Sequence, residues 1–264
     1  MNTLLWVGLP YACLGAFIVG LIWRWRSDQF GWTSRSSQWH ENAILRWASP
    51  LFHIGIIFVF FGHVAGMLVP ASWTQAAGVS EHAYHLGATV GGALAGLAVL
   101  IGLVGLLIRR FVTKTVRLAT TRGDLVMYVF LAVPIVCGCA ATFLHQVLDE
   151  GYDYRATVGP WIRSILSFTP RPELMADVPL AFKIHVVAGL LLFAVLPATR
   201  LVHIVSAPIT YPTRPAIVYR SREAASASHD GLAASRGNAR GYHKAWRPVR
   251  KQSHQSDSVP YQGA

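Results

Sequence analysis

From Trp47 to Val69 the chain carries no Asp, Glu, Lys or Arg, and the run is bracketed by Arg46 and Pro70. At about 1.5 Å of rise per residue it is long enough to cross the ~30 Å hydrocarbon core of a bilayer as one helix. It also holds His53 and His63, where apolar side chains would cost least. An ionisable residue inside a span marks a functional site by default, and two of them call for partners elsewhere in the membrane.

Composition agrees with a membrane fold. Hydrophobic residues make up 53% of the 264, charged residues only 13%, and mean hydropathy is +0.40; soluble domains carry about a quarter charged residues. The net charge of +11 is concentrated in short loops beside apolar runs and in the C-terminal tail, which is the positive-inside pattern and argues against nucleic-acid binding. Cys13, Cys137 and Cys139 fall inside apolar runs without metal-ligand spacing, so they read as packing residues. The first apolar run lacks a basic leader and reads as a retained span.

Five spans follow. The first runs from about Thr3 to Trp23 and is followed by Arg24 and Arg26, with Trp23 and Trp25 suited to the interface. The second is Trp47–Val69, and the third, about Tyr84 to Ile108, contains Gly87, Gly91, Gly92, Gly96, Gly102 and Gly105, small faces that let helices approach closely in lipid. The fourth runs from Asp124 to about Val147 and the fifth from Pro179 to about Val205. Arg24, Arg26, Arg35 and Arg46 fill the first loop and Arg109, Arg110, Lys114, Arg117 and Arg122 the third, whereas 71–83 has no Lys or Arg. The expected fold is therefore an all-α integral membrane protein, a bundle of five transmembrane helices with the N-terminus outside and the C-terminus cytoplasmic. Residues 159–166 read as a short interfacial helix. Residues 1–222 form the membrane domain, and 223–264 a basic, disordered cytoplasmic tail.

His185 and His203 lie in the fifth span. On a continuous helix they would share a face and stand about 27 Å apart, against about 15 Å for His53 and His63. Because spans two and five run in opposite directions, depth pairs His63 with His185 near the outside and His53 with His203 near the inside. Neutral imidazole is a good axial ligand for haem iron, so the expectation is two stacked haem b groups, each held by one histidine from each span. With both axial positions filled by protein, the use of such iron is electron transfer. Tilt or Pro197 must absorb the mismatch of 15 Å and 27 Å. Gly55, Gly62, Gly66 and Gly189 stand near these ligands and read either as room for a flat macrocycle or as helix packing.

These residues resemble a known family. Arg35-Ser36-Ser37-Gln38, Leu51-Phe52-His53-Ile54-Gly55-Ile56, Gly62-His63-Val64-Ala65-Gly66-Met67-Leu68-Val69-Pro70, Ala119-Thr120-Thr121-Arg122-Gly123-Asp124, His185 with its flanks and Arg200-Leu201-Val202-His203-Ile204-Val205-Ser206-Ala207-Pro208 resemble the gamma subunit of membrane-bound respiratory nitrate reductase, over about residues 1–222. The resemblance implies a cytochrome b anchor of the bacterial cytoplasmic (inner) membrane. In it, His53 and His203 ligate the cytoplasmic-side haem b, and His63 and His185 the outer one. It further implies oxidation of quinol from the membrane pool near the outer face. Electrons then pass to an iron–sulfur beta subunit and a molybdenum-containing alpha subunit on the cytoplasmic side, where nitrate is reduced.

The chain departs from the family at the quinol pocket, which can carry a lysine at the start of span three. Here the residues are Glu81-His82-Ala83-Tyr84-His85, so His82 or His85, beside Gly66, is expected to serve the quinol site. The basic loops and Tyr211-Pro212-Thr213-Arg214 read as docking surfaces for the partners, or as topology and lipid contacts. Alternatives from the same residues are a dihaem quinol-oxidising subunit of a sulfur-compound or heterodisulfide reductase, and a non-catalytic haem anchor or sensor. A transporter would need broken spans or inverted repeats that the sequence does not display.

Overall fold

The computed structural model describes residues 2–28, 31, 32, 37–148 and 151–206. The tail beyond 222, the segment 211–214, Arg35, Ser36, Asp149 and Glu150 lie outside the described residues.

Five helices are long and apolar enough to cross a membrane. Span one is a π turn, Leu4–Gly8, leading into α1 (Leu9–Ser27). Span two is α2 (Leu45–His63) with a π turn, Val64–Leu68, at its end. A short α3 (Ala71–Ala76) precedes α4 (Glu81–Val112), which begins at Ser80, whose hydroxyl accepts the Ala83 N–H. Glu81 in its first turn and Arg109 and Arg110 in its last complement the helix dipole. After α5 (Lys114–Leu118), α6 (Arg122–Thr142) starts from a reciprocal capping box between Thr121 and Asp124 and ends in a third π turn, Phe143–Leu148. Then come α7 (Val158–Leu166) and α8 (Leu180–Val195).

The bundle is apolar outside as well as in: Ile54, Phe58, Phe61, Val90 and Leu94 are exposed, as a lipid-facing surface requires. Since lipid tails are as apolar as the side chains, the helices are held by close fit rather than by expulsion of water. The tightest contact is α2 on α4. A Cβ on Gly102 would lie 2.6 Å from the Phe52 amide nitrogen, and one on Gly105 2.7 Å from the Trp47 ring. From the other side, a Cβ on Gly55 would meet Val99 at 2.9 Å, so Gly55 serves helix packing. In turn α4 packs on α6, α6 on α8 and α8 on α1, whereas α2 and α8 have no extended backbone contact among the described residues. The two histidine-bearing helices thus face each other across a gap.

Two expectations need correcting. The fifth span does not run to Val205: α8 ends at Val195, 3-10 turns cover Leu196–Ala198 and Arg200–Ser206, and Thr199 between them is extended (φ −114, ψ 177). Pro197 cannot donate a backbone hydrogen bond, which ends the α-helical ladder, and α1 closes on the break. A Cβ on Gly20 would sit 2.9 Å from the Pro197 ring, and buried Arg24 donates to the Pro197 carbonyl at 2.9 Å. The helical separation of 27 Å therefore does not apply to His185 and His203. The second correction concerns α7, whose apolar face does not lie on lipid. Val158, Trp161 and Ile165 are buried with Trp6, Cys13, Met175 and Leu190, and the Trp161 indole donates to the Trp6 carbonyl at 3.0 Å.

This cluster caps one end of the bundle, where all three π turns also lie. A second buried cluster, built on Phe52, Val99, Leu103, Met127 and Leu201, fills the other half.

Candidate functional site

The four histidines predicted from depth meet in two pairs. The ring centres of His63 and His185 are 5.9 Å apart, and those of His53 and His203 are 6.4 Å apart. His53 and His63 project from α2 and His185 from α8, while His203 comes from the 3-10 segment beyond the break.

Every one of these rings has its Nδ1 against a backbone carbonyl. The acceptors are Ser49 for His53 (2.7 Å), Val59 for His63 (2.7 Å), Pro134 for His185 (2.9 Å) and Arg200 for His203 (2.6 Å). A carbonyl can only accept, so Nδ1 carries the proton and the lone pair is left on Nε2. That is the arrangement by which a histidine is oriented as a metal ligand. Two metal–imidazole bonds of about 2 Å laid end to end, with half a ring beyond each, span about 6 Å between ring centres. Both pairs match that span. No cluster of three or more His, Cys, Asp or Glu among the described residues is placed to hold a bare metal ion. Two opposed neutral imidazoles suit iron whose remaining positions are filled by a macrocycle. The gap between α2 and α8 leaves space for one, and Gly62 and Gly189, next to His63 and one turn from His185, look onto open space.

The two pairs are supported differently. His185 is held by α6: Pro134 supplies the carbonyl, and one turn on, a Cβ on Gly138 would strike the imidazole at 2.7 Å. His203 depends on charge. Asp124 of the α6 capping box pairs with Arg200, both largely buried, and the Arg200 carbonyl takes the His203 Nδ1–H.

Near the His53–His203 end, buried Arg109 gathers the loop before α2, donating to the Glu41 carboxylate (2.6 Å), Ser37 Oγ (2.9 Å) and the Ser37 and Glu41 carbonyls (2.7 Å each). Burial alone would raise the Glu41 carboxyl, but the Ile44 N–H and the bond and charge of Arg109 outweigh it and hold the group below its ordinary value.

At the His63–His185 end the cap covers the π turn that follows His63. Arg163 donates to the Met67 carbonyl at 2.6 Å, and the Tyr154 ring sits where a Cβ on Gly66 would be, at 2.9 Å. Burial first, and the neighbouring Tyr84 second, push the Tyr154 phenol well above its ordinary value, so it stays a neutral hydroxyl. His82 is exposed, and the His85 ring packs against Gly151.

A family model for the nitrate reductase gamma subunit matches residues 2–222. The chain belongs to that family. It is 45% identical over 221 residues to the nitrate reductase gamma chain of Bacillus subtilis, covering 84% of this chain and 99% of that one. It is 35% identical over 223 residues to the respiratory nitrate reductase 2 gamma chain of Escherichia coli, covering 84% and 98%. The nitrate reductase-like protein NarX of Mycobacterium tuberculosis is 51% identical over 224 residues, 84% of this chain but 34% of the longer relative, so the chain spans about a third of that protein's length.

For this member of the gamma subunit family the sequence located the four histidines but missed the groups that aim them. Pro134 with Gly138 at i+4, the Asp124–Arg200 pair and the Arg155 and Arg163 side chains were not singled out. A lone arginine in an acidic segment was the available signal for Arg155.

Proposed function

We propose that this chain is the quinol-oxidising membrane subunit of a nitrate reductase, with haem b held by His63 and His185 and by His53 and His203. The observation that carries the reading is the meeting of four imidazoles in two pairs, each ring donating Nδ1–H to a carbonyl and keeping Nε2 free. When bound, such haems supply two one-electron carriers at two depths. The histidines bind and orient them, and the carbonyls of Ser49, Val59, Pro134 and Arg200 hold each ring in the ligating tautomer.

Arg109, Arg110, Lys114, Arg117 and Arg122 gather beyond the His53–His203 end, which we take as cytoplasmic by the positive-inside rule. The N-terminus is then outside. Quinol is oxidised at the His63–His185 end, where Gly66, His82 and His85 lie, and its protons leave on that side. The arginine-rich face meets the partner subunits, an iron–sulfur protein and a molybdenum protein that reduces nitrate.

The test is an optical and redox titration of the purified protein with His53, His63, His185 and His203 each replaced by alanine. The expected result is a b-type spectrum reducible by menadiol, with the same centre lost for either member of a pair. A colourless wild-type polypeptide after full cofactor supply overturns the reading. A haem that reduces with dithionite but never with menadiol makes the chain a haem-bearing anchor instead.

A further inference from the structure

Among the charged groups at the His63–His185 end, Arg155 is placed unlike the others. Its side chain is 7% exposed although it follows a loop. Three contacts fix it. Its backbone N–H donates to the Asp153 carboxylate at 2.9 Å, Nη2 donates to Thr74 Oγ1 at 2.9 Å, and the guanidinium carbon lies 3.7 Å from the centre of the Tyr84 ring. Thr74 is itself held through its hydroxyl, which donates to the Ala71 carbonyl at 2.8 Å. Even so, Nε and Nη1 are cut off from solvent and have no hydrogen bond. Nη1 has only the Glu81 carboxylate at 3.5 Å, too far to count as a good hydrogen bond.

A desolvated guanidinium N–H without an acceptor is costly, and natural structures almost always satisfy such groups. The cost is explained if the acceptor is a ligand. Glu81 is the only cover: its side chain is half exposed, and its other oxygen takes the Gln75 amide at 2.9 Å. A swing of this flexible side chain opens Nη1 to an entering molecule. The surroundings are aromatic and neutral. Tyr84 lies under the guanidinium, and Tyr154, which shares a hydrogen bond with Tyr84, reaches Gly66, three residues after His63. Such walls accept a flat aromatic ring whose oxygen needs a charged donor.

We infer that Arg155 is the donor that binds a hydroxyl oxygen of the quinol at this end, with Glu81 as the acceptor of that hydroxyl's proton. This rests on the quinol reading above and names the group that does the work expected of His82 or His85. In the step itself the quinol O–H bond breaks, the proton goes to a Glu81 carboxylate oxygen, and the electron pair stays on the quinol oxygen, now an anion facing the guanidinium. No electron leaves the ring in this step, and no other reactant is needed. A fixed guanidinium favours the anionic oxygen over the neutral one.

The experiment uses membranes containing the assembled complex with R155M, R155K and E81Q. Menadiol serves as donor, and a fluorescent hydroxyquinoline N-oxide as a head-group mimic whose binding is read by quenching. For R155M the expected result is a rise of about tenfold or more in both the mimic's Kd and the menadiol KM, at unchanged dithionite-reduced absorbance. R155K, which keeps the charge but not the planar fork, restores part of the loss. E81Q lowers kcat about fivefold or more, flattens its acidic limb with pH and leaves the mimic's Kd within about twofold. Kd and KM within about twofold of wild type in R155M overturn the assignment. Should both arginine variants lose their chromophore, an unchanged kcat in E81Q overturns it. Failure of the quinol reading has a different signature: wild-type membranes that dithionite reduces and menadiol does not.

Discussion

The two ends of this bundle hold the same pair of imidazoles by different means. At the His63–His185 end both rings stand on intact helices, and a helix carbonyl together with a missing side chain on α6 sets the approach of His185. At the His53–His203 end one ring comes from a 3-10 segment past a break, and an ion pair between Asp124 and Arg200 anchors the segment. One end relies on shape and the other on charge. They should therefore fail under different insults.

The largest expected effect is from Gly138→Val. The new side chain occupies the position of the His185 ring, 2.7 Å from Cε1, and α6 cannot yield without repacking at a cost of about 1–3 kcal/mol. The His63–His185 chromophore should vanish from the spectrum while the other persists; loss of both equally would deny that the ends are independent.

Next is Asp124→Asn, which leaves Arg200 buried without its counter-charge and costs roughly 3 kcal/mol. Thermal scans followed at each chromophore should find the His53–His203 centre released first. If both are lost together, the ion pair serves the whole bundle.

Pro197→Ala removes the ring that fills the notch at Gly20 and lets the helix continue toward Thr199, at a cost of about 1–2 kcal/mol. A shifted midpoint potential at the His53–His203 centre alone is the expected reading. An unchanged potential would mean that Arg24 and Asp124 hold the break without the proline.

The smallest effect is acid sensitivity of the loop at Glu41. Its carboxyl is depressed in the folded protein, so its contribution is complete above the ordinary value of 4.5 and is lost as pH falls through the lower folded value. The pair is partly exposed, and the loss is below about 1 kcal/mol. Amide exchange over 37–44, corrected for intrinsic rates, should quicken in that acid window, and E41Q should abolish the change.

The histidine pairs were legible because an imidazole interrupts an apolar span, and oppositely directed spans match residues by depth. What the sequence concealed was the shape of the fifth span. Apolar residues continue past Pro197 without a change of character, so periodicity extends the helix to Val205, while the break depends on Gly20 and Arg24, far away in the chain. The reading of α7 failed similarly, since an amphipathic stretch suits a lipid surface or a protein one, and its partner Trp6 is 155 residues from Trp161. The contact between Arg155 and Thr74 bridges 81 residues, and no local pattern announces it.

The π turn Val64–Leu68 fits one more residue into its loop than ordinary winding would. Removing a single residue there restores the α register, shortens the span by about 1.5 Å and rotates everything beyond it by about 100°. His63, upstream, keeps its heading toward His185, while Met67 turns away from Arg163. The ligand and the lid over it are thus geared through one surplus residue, and the gearing can be slipped without touching either.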